Sequence, residues 1–231
     1  NKVKEHYGNG EQFGVKITYV EQDYPRGIAH AILLCKDFVG NEKFLVFLGD
    51  NIIQKSISDY ARKFEKSDAA ASILLCEVDN PSRFGIAEVK DGQILRIMEK
   101  PKDPPSDLAL VGVYMFRPEI HKAVRAIKPS GRGELEITDV NRRYLEQQEL
   151  QVEIMGRGYA WLDTGTHDSL LEAAGFIATL QKRQGLMVAC PEEIAYRRGW
   201  INVNQLEKLA AHLLKNAYGQ YLQRVLQEKI I

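Results

Sequence analysis

Two aspartates in this sequence occupy positions where a divalent cation could be held. Asp50 follows the apolar run at residues 44–48, and Asp163 follows Trp161 and Leu162. In open α/β sheets, ligands bind just beyond the carboxyl ends of the strands. Mg²⁺ needs few protein ligands, because it keeps several waters and takes further ligands from substrate phosphates. Each aspartate alone fits an ordinary turn, so it is their shared pattern that predicts a Mg²⁺ site for a phosphorylated ligand.

A second candidate pair is Glu99 and Lys100, which stand side by side at the end of a predicted strand. Glu and Lys are common on protein surfaces, so two solvated charges are one interpretation. The other interpretation divides two tasks between them. Glu99 would accept hydrogen bonds from sugar hydroxyls, and Lys100 would present a compact positive charge to a phosphate. The sequence offers no convincing Ser-His-Asp or Cys-His set for covalent catalysis.

The elements that position these side chains alternate between strands and helices. The run at 44–48 has no alternation, which is typical of a strand buried on both faces in a parallel sheet. Val15–Val20 alternates and is predicted as a first strand, and the loop at 22–27 opens onto a predicted helix. Asp91 and Gly92 lie between two alternating runs and predict a hairpin turn.

The end of the chain changes character. Thr138 is predicted to cap a helix over residues 139–148. From Pro191 onward the pattern is helical only. The sequence therefore predicts an α/β fold, a mixed sheet flanked by helices with a helical C-terminal appendage. The predicted domains are residues 1–185 for the α/β body and 186–231 for the helical segment.

Composition excludes several classes of protein. The 231 residues include 31 Lys and Arg and 31 Asp and Glu, so the formal net charge is zero and no global basic field favours nucleic acid. The three cysteines are far apart in sequence, which favours free thiols in a reducing compartment. No apolar stretch reaches membrane-spanning length and no signal-peptide pattern is present. We expect a cytoplasmic protein that binds neither nucleic acid nor membrane.

Taken in order, these motifs resemble the glucose-1-phosphate thymidylyltransferases over essentially the whole chain. Each motif alone is weak, but the ordered set is specific. The resemblance is carried by Gln22-x-x-Pro25-x-Gly27, Leu48-Gly49-Asp50-Asn51, Phe84-Gly85, Glu99-Lys100-Pro101, Val111-Gly112-x-Tyr114, residues 133–139 (GELEITD), residues 161–166 (WLDTGT) and residues 190–197 (CPEEIAYR).

The resemblance implies a role for each matching residue and a Rossmann-like nucleotide-diphospho-sugar transferase fold. Asp50 and Asp163 match the Mg²⁺ ligands, and Lys100 matches the group on the sugar phosphate; these three are the expected catalytic residues. The expected substrate-binding residues are Gln22, Pro25 and Gly27 for the thymine base and Gly85, Glu99, Val111 and Tyr114 for the sugar.

The resemblance also implies the reaction. A sugar-1-phosphate oxygen attacks the α-phosphorus of dTTP, pyrophosphate leaves, and dTDP-glucose is formed for the dTDP-rhamnose pathway. The short-form members are homotetramers, and many have a second nucleotide site for end-product inhibition. Two alternatives remain open: a related nucleotidyltransferase with another base or sugar, and a non-catalytic sugar-nucleotide-binding protein.

One part of the family pattern has no counterpart here. The family begins with a strand and a Gly-rich loop that carries an Arg and then a Lys and that cradles the triphosphate. Gly8-Asn9-Gly10 is no substitute, because no strand precedes it and no Arg is in place. From this departure we expect little transferase activity and poor solubility of this polypeptide.

Overall fold

The protein is described by a computed structural model that covers residues 2–90 and 93–228. The predicted turn at Asp91 and Gly92 lies outside these residues. The helices are α1 (Lys2–Tyr7), α2 (Ile28–Leu34), α3 (Lys36–Val39), α4 (Ser58–Lys66), α5 (Ile120–Ala126), α6 (Ile137–Glu146), α7 (His167–Gln184), α8 (Pro191–Arg197), α9 (Val203–Ala211) and α10 (Ala217–Gln227). The strands are β1 (Phe44–Phe47), β2 (Asn51–Ile53), β3 (Ala71–Glu77), β4 (Gly85–Lys90), β5 (Gln93–Glu99), β6 (Leu108–Phe116), β7 (Leu150–Ile154) and β8 (Trp161–Asp163).

A mixed sheet forms the body of the fold and confirms the predicted α/β class. Its strand order is β5-β4-β6-β3-β7, and β1 also pairs with β6. The β3–β7 pair is parallel, whereas β1, β3 and β4 each run antiparallel to β6. The long strand β6 is therefore central, and it is almost entirely buried. A separate two-stranded ladder joins β2 to β8.

Two strand predictions were wrong. The run at 44–48 gives β1, but β1 pairs antiparallel with β6, and the side chains of Leu45 and Phe47 are 39% and 44% exposed. An apolar run without alternation carries no information on strand direction, which explains the error. Val15–Val20 forms no ladder within the described chain, although its alternating side chains Val15, Ile17 and Tyr19 are half-buried and Val15 packs in a helical core.

The contacts divide the chain into two compact units, residues 20–170 and residues 1–19 with 171–231. In the first unit, one face of the main sheet packs on α2, α5 and α6, and the other face packs on α4 and on the β2–β8 ladder. In the second unit, a core of mainly helical residues includes Phe13, Leu206 and Leu222. The predicted boundary at 185/186 differs from this division, because Tyr7, Phe13 and Val15 join the C-terminal helices.

Helix α6 begins two residues before the predicted start. It runs from Ile137, and Glu136 is its N-cap residue without a capping side chain. Thr138 is not the predicted cap, because its hydroxyl donates to Glu99 on another element. Across residues 2–90 and 93–228, none of the helices combines the length and the apolar character that a membrane span requires.

Candidate active site

The two aspartates predicted to hold a cation are brought together by the β2–β8 ladder. Asn51, next to Asp50, pairs directly with Asp163 in this ladder. Beyond the ladder, Thr164 donates to the backbone carbonyl of Asp50 from both its amide N–H and its hydroxyl, each at 2.9 Å. Each aspartate is thus held by a contact with the residue that follows the other aspartate in the sequence, although the two aspartates are 113 positions apart.

Both aspartates open into one cavity of about 450 Å³. This cavity brings together six of the predicted site residues, contributed by the ends of β2, β4, β5, β6 and β8 and their loops. They are Asp50, Gly85, Glu99, Lys100, Tyr114 and Asp163. Further lining residues include Arg83, Arg132, Glu136, Thr138 and Trp161.

The two carboxylates have different neighbours. Asp50 Oδ1 accepts a hydrogen bond from the Asn51 side chain at 2.8 Å. Asp163 Oδ2 lies 3.2 Å from the guanidinium of Arg83, which in turn lies over the ring of Phe84. Asp50 therefore keeps an oxygen without a protein partner among the described residues, whereas Asp163 is held by an ion pair.

The donor chemistry of this pair fits a hard divalent cation. Two carboxylate groups converge on an open cavity, and within the described residues no group of three or more His, Cys, Asp or Glu side chains forms a closed metal cage. Mg²⁺ commonly binds through one or two carboxylates and completes its octahedral shell with waters and substrate phosphates. The residues present are sufficient for that mode of binding.

Lys100 is held in an unusual backbone conformation. Its φ of +41° lies in the left-handed region, which is uncommon for a residue other than glycine. Its amide N–H donates to the carbonyl of Phe84 at 3.0 Å, and this contact fixes the turn beyond β5. Within the described chain no acceptor pairs with its ammonium group, so a positive charge lines the cavity without a protein counter-ion. Strained residues of this kind cluster at functional sites.

Glu99 stands at the centre of a polar network that the sequence analysis did not identify. Thr138 donates to one Glu99 oxygen, and Arg132 lies 3.4 Å from the other. Arg132 also forms two 3.0 Å hydrogen bonds to Glu136, and these bonds, with the nearby carboxylates, raise the pKa of the guanidinium. The motif at residues 133–139 contained this signal, but only the fold shows that its side chains face Glu99.

Gly85 leaves space beside this network, because it has no side chain to press on Thr138 and Glu99. A Cβ atom at Gly85 would lie 3.3 Å from the Thr138 hydroxyl and 3.4 Å from a Glu99 oxygen.

Tyr114 is 5% exposed, and burial, followed by the charges of Glu99 and Asp50, raises its pKa above the usual range. Tyr114 is therefore a neutral phenol at physiological pH.

Val111 is the predicted site residue that the cavity does not include. Its side chain is fully buried in a core with Leu74 and Met115. Alternation along β6 explains this position, because Val111 faces away from the side occupied by Leu110 and Tyr114. Any contact of Val111 with a ligand in the cavity would have to use its backbone.

The loop residues Gln22, Pro25 and Gly27 line a neighbouring cavity of about 550 Å³. Gln22 Nε2 donates to the carbonyl of Gly27 at 3.2 Å and lies 2.9 Å from His30 Nδ1, so the loop closes on the start of α2. Ile28, Leu48 and Glu134 line both cavities and make them adjacent.

Gly27 is required where the loop meets the segment before α6. Its φ is +93°, and a Cβ atom there would lie 2.5 Å from the carbonyl oxygen of Leu135. Leu135 N–H also donates to the carbonyl of Arg26 at 2.8 Å. The loop therefore packs tightly against the segment that carries Glu136 and Thr138.

Trp161 is a further lining residue that sequence analysis placed only within a motif. Its ring centroid lies 5.1 Å from that of Phe84, and its indole N–H donates to Asn51 at 2.6 Å. An aromatic wall with a satisfied polar group can contact the face of a sugar ring.

Comparisons with known proteins identify the family of this chain. Residues 1–179 match the family described as nucleotidyl transferase. A glucose-1-phosphate thymidylyltransferase from Xanthomonas campestris is 50% identical over 217 residues, which are 93% of this chain and 74% of that protein. The enzyme of the same name from Neisseria meningitidis is 44% identical over 96% of this chain and 77% of its own length.

A solved structure is also similar. It is that of a Bacillus anthracis protein to which glucose-1-phosphate thymidylyltransferase activity has been ascribed, in complex with a sucrose. It is 43% identical and has a TM-score of 0.71, with 76% of this chain and 70% of that chain covered.

Proposed function

The chain belongs to the nucleotidyl transferase family, among the glucose-1-phosphate thymidylyltransferases, and on that basis we propose that it transfers a thymidylyl group from dTTP to glucose-1-phosphate. The observation that carries the proposal is the single cavity that contains Asp50, Lys100 and Asp163 together with a polar network around Glu99. The two carboxylates and the positively charged side chain of Lys100 are suited to binding a pair of phosphates together with a metal ion, and the polar network is suited to binding a sugar.

In this reaction a phosphate oxygen of glucose-1-phosphate attacks the α-phosphorus of dTTP. A new P–O bond forms, the bond to the bridging oxygen breaks, and pyrophosphate leaves with the electron pair. The protein accelerates such a transfer mainly by positioning the reactants and by neutralising charge. No covalent intermediate on the protein is needed, so the reaction does not require a Ser-His-Asp or Cys-His set, which the sequence does not offer.

Each part of the cavity has a proposed task. Lys100 binds the sugar phosphate, because its ammonium is a point charge with no protein counter-ion among the described residues. Glu99, oriented by Thr138 and Arg132, accepts hydrogen bonds from sugar hydroxyls. Gly85 leaves room for the ring, and Tyr114 and Trp161 form its walls.

Asp50 and Asp163 would hold Mg²⁺. When bound, the cation neutralises phosphate charge and aligns the two reacting groups. Arg83 pairs with Asp163 and lines the same cavity, so we assign its guanidinium a part in neutralising phosphate charge as well.

The thymine base is proposed to bind in the neighbouring cavity. Gln22 has an amide that can pair with a pyrimidine edge, and its contacts with Gly27 and His30 hold it at the loop. Ile28, Leu48 and Glu134 line both cavities, so the cavities are adjacent, and we assign the base of one nucleotide to this cavity and its phosphates to the other.

A homotetramer is also proposed, as in the short-form members. Support comes from helix α7, where the side chains of Leu170 and Leu171 are 53% and 74% exposed. Exposed leucines on one long helix are suited to contact another copy of the chain.

The function is tested by following pyrophosphate release from dTTP, UTP and CTP with glucose-1-phosphate and Mg²⁺, alongside calorimetric titration with dTDP-glucose and UDP-glucose. We expect dTTP to be the preferred nucleotide and dTDP-glucose the tighter ligand. A preference for UTP or CTP would assign the site to another base. Failure of the folded protein both to bind dTDP-glucose and to use dTTP would refute the proposal.

A further inference from the structure

The Asn51 side chain makes three hydrogen bonds beneath the cavity. Its Nδ2 donates to Asp50 Oδ1 at 2.8 Å. Its Oδ1 accepts from the amide of Gly112 at 3.1 Å and from the indole of Trp161 at 2.6 Å. Asn51 is only 8% exposed, so these bonds form largely out of water.

The network itself fixes which end of the carboxamide is oxygen. The Gly112 amide and the Trp161 indole can only donate, so the atom on which they converge must accept. The nitrogen of Asn51 must then face Asp50, whose carboxylate can accept. Every hydrogen-bonding partner is consistent with one orientation of the carboxamide.

Gly112 is packed directly against this carboxamide. A Cβ atom at Gly112 would lie 2.6 Å from Asn51 Nδ2 and 2.7 Å from its Oδ1. Glycine inside a strand often marks such a close approach. The backbone of β6, the central strand, therefore packs against Asn51 with no room for a methyl group between them.

From these contacts we infer that Asn51 is a positioning residue for the cation site, because it holds the Asp50 carboxylate by one oxygen and leaves the other directed to the cavity. This inference rests on the proposed function, which assigns a divalent cation to Asp50 and Asp163. Groups that hydrogen-bond to a metal ligand restrict its orientation, and their loss typically weakens metal affinity about 10- to 100-fold.

The same carboxamide links the cation site to the wall of the sugar pocket. Asp50 and Trp161 do not need to touch, because both bond to one rigid planar group. A displacement of Asn51 would therefore disturb the carboxylate and the indole together. Gly112 gives a means of producing that displacement without removing any hydrogen-bonding group.

The inference is tested with Mn²⁺, whose free-ion EPR signal falls as the ion binds protein. The proteins are wild type, Asn51→Ala, Gly112→Ala, the double variant and Asp163→Asn. We expect Asn51→Ala to weaken Mn²⁺ binding about tenfold or more. Gly112→Ala should also weaken it, because the new methyl group displaces the carboxamide. In the double variant the methyl group fills the space left by Asn51, so its affinity should match that of Asn51→Ala.

Circular dichroism and melting of each variant establish that it is folded. If Asn51→Ala unfolds, Gly112→Ala still tests the inference, because it retains every polar group. If folded Asn51→Ala bound Mn²⁺ within about twofold of wild type, the inference would be overturned but the proposed function would stand. The same would follow if the losses of Mn²⁺ affinity in the two single variants simply added in the double variant. Equal Mn²⁺ binding by wild type and Asp163→Asn would instead refute the cation site of the proposed function, and with it this inference.

Discussion

At the scale of single residues, the proposed chemistry depends first on Asp163. Replacement of Asp163 by Asn removes a charged ligand and releases Arg83 from its ion pair. We expect turnover to fall about 100-fold or more, because charge stabilisation at the transferring phosphate is lost. Steady-state pyrophosphate release measures this change.

A matched control is Asp59→Asn. Asp59 lies on α4, and its side chain is 79% exposed and paired with Arg62. We expect its turnover to equal that of wild type. Comparable losses in both variants would mean that the effect of Asp163 does not act through the cavity.

Lys100 gives the second prediction at this scale. Hydrogen bonds to charged groups contribute about 1.5–3 kcal/mol. Lys100→Met should therefore raise the KM for glucose-1-phosphate about 10- to 100-fold and leave the KM for dTTP less affected. The control is Lys102→Met, an exposed lysine outside the cavity. An unchanged KM in Lys100→Met would contradict the assigned role.

Residue types and motif order predicted much of the cavity lining but not its supporting contacts. Asp50, Asp163, Glu99 and Lys100 stand out in the sequence because charged residues follow strand-like runs. The contacts from Arg132 and Arg83 do not stand out, because they join residues 33 and 80 positions apart. Only the fold determines which arginines face a given carboxylate.

At the scale of elements, the loop at 22–27 depends on one glycine. Gly27→Ala would combine a positive φ with a 2.5 Å clash against the Leu135 carbonyl. We expect a loss of about 2 kcal/mol or more in the free energy of unfolding, together with weaker dTDP-glucose binding. Urea denaturation and calorimetry measure the two effects.

Gly40→Ala separates backbone strain from the clash. Gly40 also has a positive φ, +61°, but a Cβ atom there meets nothing within 4 Å. We expect a loss of about 1–2 kcal/mol, from strain alone, and unchanged ligand binding. If both variants behaved alike, the contact with Leu135 would have no energetic importance.

Helix α4 is stabilised at its C-terminus by Lys43. The ammonium donates to the carbonyls of Phe64, Glu65 and Ser67 at 2.7–2.9 Å. Carbonyls at a helix end carry partial negative charge. Lys43→Met should lower the free energy of unfolding by about 1–2 kcal/mol in urea denaturation. The exposed Lys66→Met should change it little, and equal losses would argue against this capping role.

Elements were easier to predict than their pairing. The strands β1, β3 and β6 follow directly from apolar runs, but the direction of β1 does not. Val15–Val20 shows the limit clearly, because its alternating pattern half-buries Val15, Ile17 and Tyr19 without any strand pairing in the part of the chain that the structure describes. Tertiary packing overrode local propensity there.

At the scale of the whole molecule, stability should depend on the protonation of His121. This residue is 4% exposed, and neither ring nitrogen has a hydrogen-bond partner among the described residues. Burial, followed by the charges of Lys36 and Arg125, lowers its pKa from 6.5. The unfolded chain therefore takes up this proton at higher pH than the folded protein, and stability is lost as pH falls below about 6.5.

The test compares urea denaturation at pH 7.5 and pH 5.5. His121→Phe, which keeps a ring to stack on Phe44, should show a smaller loss than wild type. For one proton the slope cannot exceed about 1.4 kcal/mol per pH unit. His212→Gln, at an exposed position, should behave as wild type. An identical pH dependence in His121→Phe would show that other groups cause the loss.

The α/β class and the order of motifs could be predicted from sequence, but the grouping of segments into units could not. Nothing in residues 1–19 indicates a partner near the other end of the chain. The hydrophobic character of Tyr7, Phe13 and Val15 does not indicate how far along the sequence their packing partners lie. Their core is non-local, which a periodicity argument does not detect.

That core has a consequence for the timing of biosynthesis. Phe13 and Leu222 share it, yet they are 209 positions apart. At roughly 5–20 residues per second, the ribosome needs about 10–40 seconds to deliver the second after the first. Residues 20–170 can collapse during that interval, while Phe13 still awaits its partners from the C-terminal helices. Nascent chains stalled near residue 180 should therefore recruit chaperones at the exposed side chains of Tyr7, Phe13 and Val15.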